Sequence, residues 1–231
     1  MRTVAIIPAR GGSTRIPRKN IRDFCGKPMI AWSISAAEQS GCFDRIIVST
    51  DDAEVAEIAQ ARGAETPFVR PAELSGEHTG TRAVMNHALR WLLEHDERPE
   101  FACCLYATAP FVRPEDLRAG LDLLAGSSAA FVFSVTTFAS PIQRAVRILA
   151  TGRMEMIQPD HAKTRSQDLE PTYHDTAQFS WGRTDEYMVD PPVSLEHALP
   201  LVIPRYRVQD VDTPEDWRRA ELLFQLLQDE G

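Results

Sequence analysis

Residues 4–20 read Val4-Ala5-Ile6-Ile7-Pro8-Ala9-Arg10-Gly11-Gly12-Ser13-Thr14-Arg15-Ile16-Pro17-Arg18-Lys19-Asn20. The first four form a continuous apolar run, the pattern of a strand buried on both faces of a parallel sheet. A loop rich in glycine and arginine follows at once, at the carboxyl end of that strand, where open α/β sheets bind ligands. Adjacent Gly11 and Gly12 let backbone N–H groups turn toward an anion and allow it close approach. Arg10, Arg15 and Lys19 can add charge-assisted bonds to phosphate oxygens. The string is neither G-x-x-x-x-G-K-[ST] nor G-x-G-x-x-G, so it indicates neither a P-loop ATPase nor a dinucleotide reductase. A basic surface loop with incidental glycines is the weaker explanation, because four cations and no acid fall between Arg10 and Lys19.

The alternation of strand and helix extends outward from this stretch. The spacing predicts a helix over about Pro28–Gln39 and a buried strand over Arg45–Ser49. A second helix then begins with Asp51 as its cap and Glu54 three positions on, and ends at Gly63. Apolar residues recur at helical spacing over Thr81–Glu94, Phe101–Tyr106 is another buried run, Pro114–Leu124 a helix and Phe131–Val135 a strand. Such repetition implies right-handed crossover units and a three-layer α/β sandwich. Between about Phe138 and Thr176 the pattern loosens into an insertion outside the main sheet, either a lid or a dimer contact. Within it Gln143–Ile148 alternates polar and apolar, and Thr151-Gly152-Arg153 reads as a hairpin turn. Order returns at Gln178–Trp181 and Leu201–Ile203, and the last helix opens with Thr213-Pro214-Glu215-Asp216. A length of 231 residues fits one domain, 1–231, carrying the inserted segment 138–176.

Charge is unevenly placed. The chain has a net charge of −8, yet residues 1–27 hold seven cations against Asp23, a local +6 that leaves −14 for the remainder. Such a distribution favours a small, highly charged anion and disfavours general nucleic-acid binding, since a long polyanion is repelled elsewhere. No apolar run reaches the ~18 residues of a membrane-spanning helix. The opening residues read as a strand and not as a signal peptide. Cys25, Cys42, Cys103 and Cys104 form no C-x-x-C pair. A reducing cytoplasm is therefore expected, with neither disulfide framework nor zinc knuckle.

Three further groups carry chemistry. Asp210-Val211-Asp212 lies just before the final helix, and alternation along an extended backbone puts both carboxylates on one side. Two hard oxygen ligands so arranged suit Mg²⁺, completed by substrate phosphates. The blander alternative is that Asp212 and Thr213 merely cap the helix. Ser49-Thr50-Asp51, the Arg70–Leu74 stretch and Thr79-Gly80-Thr81 follow strands or open helices, so they could line the same edge and read a base and ribose. Arg165-Ser166-Gln167-Asp168 and Tyr173-His174-Asp175 suit a polyhydroxylated, negatively charged acceptor, against the alternative of a solvated loop. No Ser or Cys nucleophile motif accompanies His174-Asp175, so a hydrolase triad is unsupported.

Read together, IIPARGGSTRIPRKNI, GKPMI, FDRIIVSTDD, RPAEL, LYATAP and QDVDTPEDW, spread in order over nearly the whole chain, resemble the cytidylyltransferases that activate nonulosonic acids, the CMP-sialic acid synthetases and their relatives. SPIQRA, TRSQDLEP, YHD and QFSWG are more similar to the pseudaminic acid branch than to the sialic acid branch. Sialic acid synthetases typically carry Q-P-T-S-P where this chain has Tyr106-Ala107-Thr108-Ala109-Pro110, and Asn-Gly where it has Thr176-Ala177, which points away from ordinary sialic acid. Thr176 and Ser180 also depart from the pseudaminic branch.

The resemblance implies a Rossmann-like fold of the nucleotide-diphospho-sugar transferase type, with a mixed sheet and an insertion that contacts a second subunit in a homodimer. It makes CTP and a nonulosonic acid the substrates, Mg²⁺ (or Mn²⁺) the cofactor, and a CMP-sugar for surface glycan or flagellin glycosylation the product. Arg10, Gly11, Gly12, Ser13, Arg15, Lys19 and Asn20 then hold the triphosphate, and Arg70, Thr79 and Thr81 the cytosine and ribose. Asp210 and Asp212 hold the metal, and Arg144, Arg165, Gln167, His174 and Gln178 the sugar, with Arg165 facing its carboxylate. Arg10, Lys19 and Asp212 are the catalytic candidates. The implied reaction is in-line attack of the anomeric hydroxyl on the α-phosphorus with loss of pyrophosphate, and no side chain stands out as general base. Legionaminic, sialic and Kdo cytidylyltransferases, a sugar-1-phosphate nucleotidyltransferase and a non-catalytic nucleotide-binding regulator are the competing readings.

Overall fold

The computed structural model describes residues 2–190 and 194–229. Its elements follow the apolar runs: β1 (Thr3–Pro8), β2 (Asp23–Phe24), β3 (Lys27–Pro28), α1 (Met29–Ser40), β4 (Arg45–Ser49), α2 (Ala53–Gln60), α3 (Thr81–Glu94), β5 (Phe101–Leu105), α4 (Pro114–Ala125) and β6 (Phe131–Thr137). They continue as β7 (Val146–Ile148), β8 (Met154–Met156), β9 (Tyr173–Arg183), α5 (Thr184–Met188), β10 (Ala198–Val202) and α6 (Pro214–Asp229). The main sheet has six strands in the order β10-β6-β9-β5-β1-β4. β1 runs parallel to β4 and β5, and β10 parallel to β6, while β9 is antiparallel to both of its neighbours. The expected mixed α/β sandwich is the observed fold.

Pleating divides the core. Ile7 of β1 packs with Ile30 and Ile34 of α1, Val55 of α2 and Leu117 of α4 on one face. Val4 and Ile6 pack with Met85, Leu89 and Leu92 of α3 and Tyr187 of α5 on the other. A third cluster lies outside the sheet and joins Ile16 of the glycine loop, Phe24, Met29, Phe111 and Val211 to Trp217, Ala220 and Phe224 of α6. It brings the two ends of the chain together.

Two expectations require correction. The cap of α2 is Asp52, whose side chain accepts from the Val55 amide at 3.0 Å. Asp51 turns instead to the glycine loop. The main sheet also extends into the end of the expected insertion, since Tyr173, His174 and Asp175 pair with Thr137, Thr136 and Val135. These three residues are exposed, so no apolar alternation marks them as strand. Between Phe133 and Val135 the register shifts, and the intervening β9 residues form a bulge in which Ala177 has φ 52°. The remaining arm contains the β7–β8 hairpin, with Gly152 at φ 78° in its turn.

Candidate active site

The glycine loop leaves β1 with the Ala9 amide donating to the Ser49 carbonyl at 2.9 Å. Its return is pinned by Asn20, whose Nδ2 donates to the Arg10 carbonyl at 2.8 Å. Ile16 is fully buried, which sets the flanking cations outside the third cluster. Arg18 takes a positive φ of 57° and pairs with Asp52 and Glu54, so it faces the β4–α2 turn. Gly11 packs so closely on Asp52 that an added Cβ would lie 2.7 Å from the Asp52 Cβ, a contact that excludes any larger residue. Around Gly12 that space is open, leaving its backbone approachable.

The acidic pair arrives from the other end of the chain. Val211 is fully buried in the third cluster, and alternation leaves Asp210 and Asp212 on the opposite side. Asp212 Oδ1 accepts from Lys19 Nζ at 3.2 Å and forms an ion pair with Arg15 Nη2 at 3.0 Å. Lys19 Nζ also donates to the Val211 carbonyl at 2.7 Å. The cap of α6 is a reciprocal pair that does not use the Asp212 carboxylate: the Thr213 amide donates to Asp216 Oδ2 at 2.8 Å and the Asp216 amide to Thr213 Oγ1 at 3.2 Å. Helix capping therefore does not account for Asp212.

Partial burial, and then the neighbouring Asp212 carboxylate, raises the Asp210 carboxyl above its ordinary range. Two mutually repelling hard-oxygen donors fit a small divalent cation, whose charge relieves that repulsion. Among the described residues no three His, Cys, Asp or Glu side chains gather into a metal cage. A cation held by this pair would draw the rest of its shell from water and substrate.

Loop and acid share one cavity of about 230 Å³. Arg10, Ser13, Arg15, Lys19, Asn20, Arg70, Thr79, Thr81 and Asp212 line it, together with Tyr106, Glu77 and Thr108. Arg70 is 4% exposed. Its Nη2 lies 3.4 Å from Asp51 Oδ1, and its buried Nε has no partner. Burial lowers the affinity of this guanidinium for its proton, and nearby Arg10 acts in the same direction. Tyr106, just beyond β5, was not singled out as a lining residue from sequence, although the carboxyl ends of neighbouring parallel strands converge on one crevice.

The residues assigned to the sugar lie outside this cavity. Arg165 is paired with Asp168 at 2.7 Å, and Gln167 is exposed in the same short turn. Arg144 donates to Ser166 Oγ at 3.2 Å within the arm. His174 Nδ1 lies 2.7 Å from the Asp175 carbonyl oxygen, and its ring lies 4.7 Å from Phe138. Gln178 is 2% exposed and donates through Nε2 to the Arg207 carbonyl at 2.7 Å, so it braces the segment leading to Asp210. The four cysteines are free, and Cys103 and Cys104 are buried in β5.

A family model described as cytidylyltransferase matches residues 4–203. A pseudaminic acid cytidylyltransferase of Campylobacter jejuni is 39% identical over 226 residues, which are 98% of this chain and 97% of that one. A CMP-N,N'-diacetyllegionaminic acid synthase of Legionella pneumophila is 32% identical over 241 residues, 99% of each chain. Among solved structures, a CMP:2-keto-3-deoxy-manno-octonic acid synthetase complexed with CTP superposes with a TM-score of 0.73 at 19% identity, covering 98% of this chain and 99% of its own. That last similarity is one of fold.

Proposed function

The chain belongs to the cytidylyltransferase family, and from that premise we propose that it transfers CMP from CTP to the anomeric hydroxyl of a nonulosonic acid, pseudaminic acid above all, releasing pyrophosphate. The observation that carries this reading is the meeting of Arg15 and Lys19 with Asp212 in one cavity. Arg10, Arg15 and Lys19 bind the triphosphate and stabilise the charge that builds on the departing pyrophosphate. Approach of the nucleotide draws Arg15 and Lys19 off Asp212 and frees that carboxylate. Arg70 and the Thr79–Thr81 turn hold cytosine and ribose. Asp210 and Asp212 are the residues that would hold Mg²⁺ or Mn²⁺, which supplies charge neutralisation at the α-phosphate and acidifies the attacking hydroxyl.

Preference for pseudaminic acid is supported by the Campylobacter relative, and the absence of an amide at Tyr106 and Thr176 speaks against ordinary sialic acid. Arg144, Arg165 and Gln167, on the arm, are the candidates for holding the acceptor, and the arm is read as the contact of a homodimer. Its exposed Val146, Ile148, Met154 and Ile157 support that contact. The test is pyrophosphate release with CTP against pseudaminic, legionaminic, sialic and Kdo acids. Highest kcat/KM with pseudaminic acid is expected. Turnover with none of the four overturns the reading, and a sugar 1-phosphate or Kdo as best acceptor replaces it.

A further inference from the structure

Arg70 lines the nucleotide cavity as a desolvated cation, and among the described residues Asp51 is the one charged group paired with it. Its backbone amide donates to the Thr50 carbonyl at 2.8 Å, which fixes the residue beside the end of β4. Its guanidinium depends on Asp51 Oδ1, 3.4 Å from Nη2, and its buried Nε–H has no acceptor. The same oxygen, Asp51 Oδ1, accepts the Gly11 amide at 3.1 Å. One carboxylate oxygen therefore touches both the base-side arginine and the phosphate-side loop. Cytosine offers adjacent acceptors, O2 and N3, to an arginine fork, whereas uracil turns a donor N3–H toward it. Only a guanidinium held in one orientation can exploit that difference.

We propose that Asp51 is a positioning residue for nucleotide recognition, holding Arg70 toward the acceptor edge of cytosine while it anchors the Gly11 amide, so that base identity and triphosphate placement are read together. The inference rests on the assignment of CTP as substrate. It extends that assignment to a residue that touches neither the base nor the phosphates.

The two contacts separate by substitution. Asp51→Asn retains an oxygen acceptor for the Gly11 amide but removes the charge that holds Arg70. Asp51→Ala removes both contacts. The experiment measures KM and kcat for CTP and UTP, KM for the acid acceptor, inhibition by inorganic pyrophosphate, and the melting temperature. For Asp51→Asn, about a tenfold fall in the CTP-over-UTP ratio of kcat/KM is expected, with pyrophosphate inhibition within twofold of wild type. For Asp51→Ala, the ratio falls similarly and pyrophosphate inhibition weakens about tenfold as well. Acceptor KM stays within twofold in both. A CTP-over-UTP ratio within twofold of wild type in both variants overturns the proposal. So does a parallel loss of CTP and acceptor affinity with a lowered melting temperature, the mark of a purely structural residue. Wild-type protein that releases no pyrophosphate from CTP with any of the four acids would instead overturn the substrate assignment.

Discussion

The glycine-loop end of the sheet and the arm between β6 and β9 are built in opposite ways. At the glycine-loop end four cations pair with acids from other parts of the chain: Lys19 and Arg15 with Asp212, Arg18 with Asp52, Arg70 with Asp51. Behind them Ile16, Val211 and Trp217 are buried in one apolar cluster, so the geometry is fixed by packing as well as by charge. The arm instead has as its strands only β7 and β8, of three residues each, with Ile148 77% and Met154 73% exposed. A hairpin of that size is marginal in water without a surface to pack on. The first region is held by charge pairs and packing within one chain, and the second presents an apolar face outward.

The largest effects are expected where charge is concentrated. Lys19→Ala and Asp212→Ala should each lower kcat by about a hundredfold or more: the first removes a donor aimed at developing charge, which costs about 3 to 4 kcal/mol in the barrier, and the second removes a carboxylate that would hold the divalent cation. Circular dichroism should show both variants folded, because the apolar cluster behind the site does not include either side chain. Turnover near wild type in either variant would remove it from the machinery. The arm should respond in assembly state: Ile148→Asp combined with Met154→Asp should convert the proposed dimer to a monomer in sedimentation. CTP binding by calorimetry should change less than threefold, because the cavity that contains Arg10 and Lys19 receives no residue from the hairpin. An unchanged sedimentation coefficient in the doubly substituted protein would rule the hairpin out as the contact.

The same contrast separates what sequence shows from what it hides. Runs such as Val4–Ile7 and Arg45–Ser49, and the helical spacing over Thr81–Glu94, are dictated by burial on known periods, and the observed elements follow them to within a residue or two. The meeting of loop and acid was legible because the loop directly follows β1 and alternation places both carboxylates of Asp210-Val211-Asp212 on one side. Tyr173–Asp175 was not, since an exposed strand leaves no apolar alternation and its pairing is decided by β6. The choice of Asp52 over Asp51 as cap was also hidden: the two acids are adjacent, and which one caps depends on where Gly11 and Arg70 sit. The resemblance places Gln178 among the sugar residues, and the structure shows its side chain buried and donating to the Arg207 carbonyl.

A smaller effect tests whether Asp212 is a ligand of the cavity or part of a helix cap. Thr213→Ala removes the hydroxyl that accepts from the Asp216 amide. Loss of such a cap costs about 1 kcal/mol, which urea unfolding should register. Turnover should stay within threefold, because Arg15 and Lys19 reach Asp212 without Thr213 Oγ1. A fall in kcat comparable to that of Asp212→Ala would show that the two residues act as one capping unit.

The smallest effect belongs to the turn that carries the loop. The Arg18 guanidinium, above all by its hydrogen bonds, holds the Asp52 carboxyl at about 2, below its ordinary 3.8. A depressed carboxylate stabilises the folded state fully above its unfolded value and loses that contribution as pH falls toward 2. Arg18 is 38% exposed, so solvent screening reduces the contribution to the order of 0.5 to 1 kcal/mol. Asp52→Asn keeps an oxygen to cap α2 and removes the charge together with one of the two oxygens that accept from Arg18. The difference in unfolding free energy between wild type and Asp52→Asn should therefore be present at pH 6 and shrink toward zero near pH 2. A difference that does not vary with pH would assign it to the cap and leave the Arg18 pair without weight, so that packing of Gly11 against Asp52, and not charge, would be what holds the phosphate loop to the β4–α2 turn.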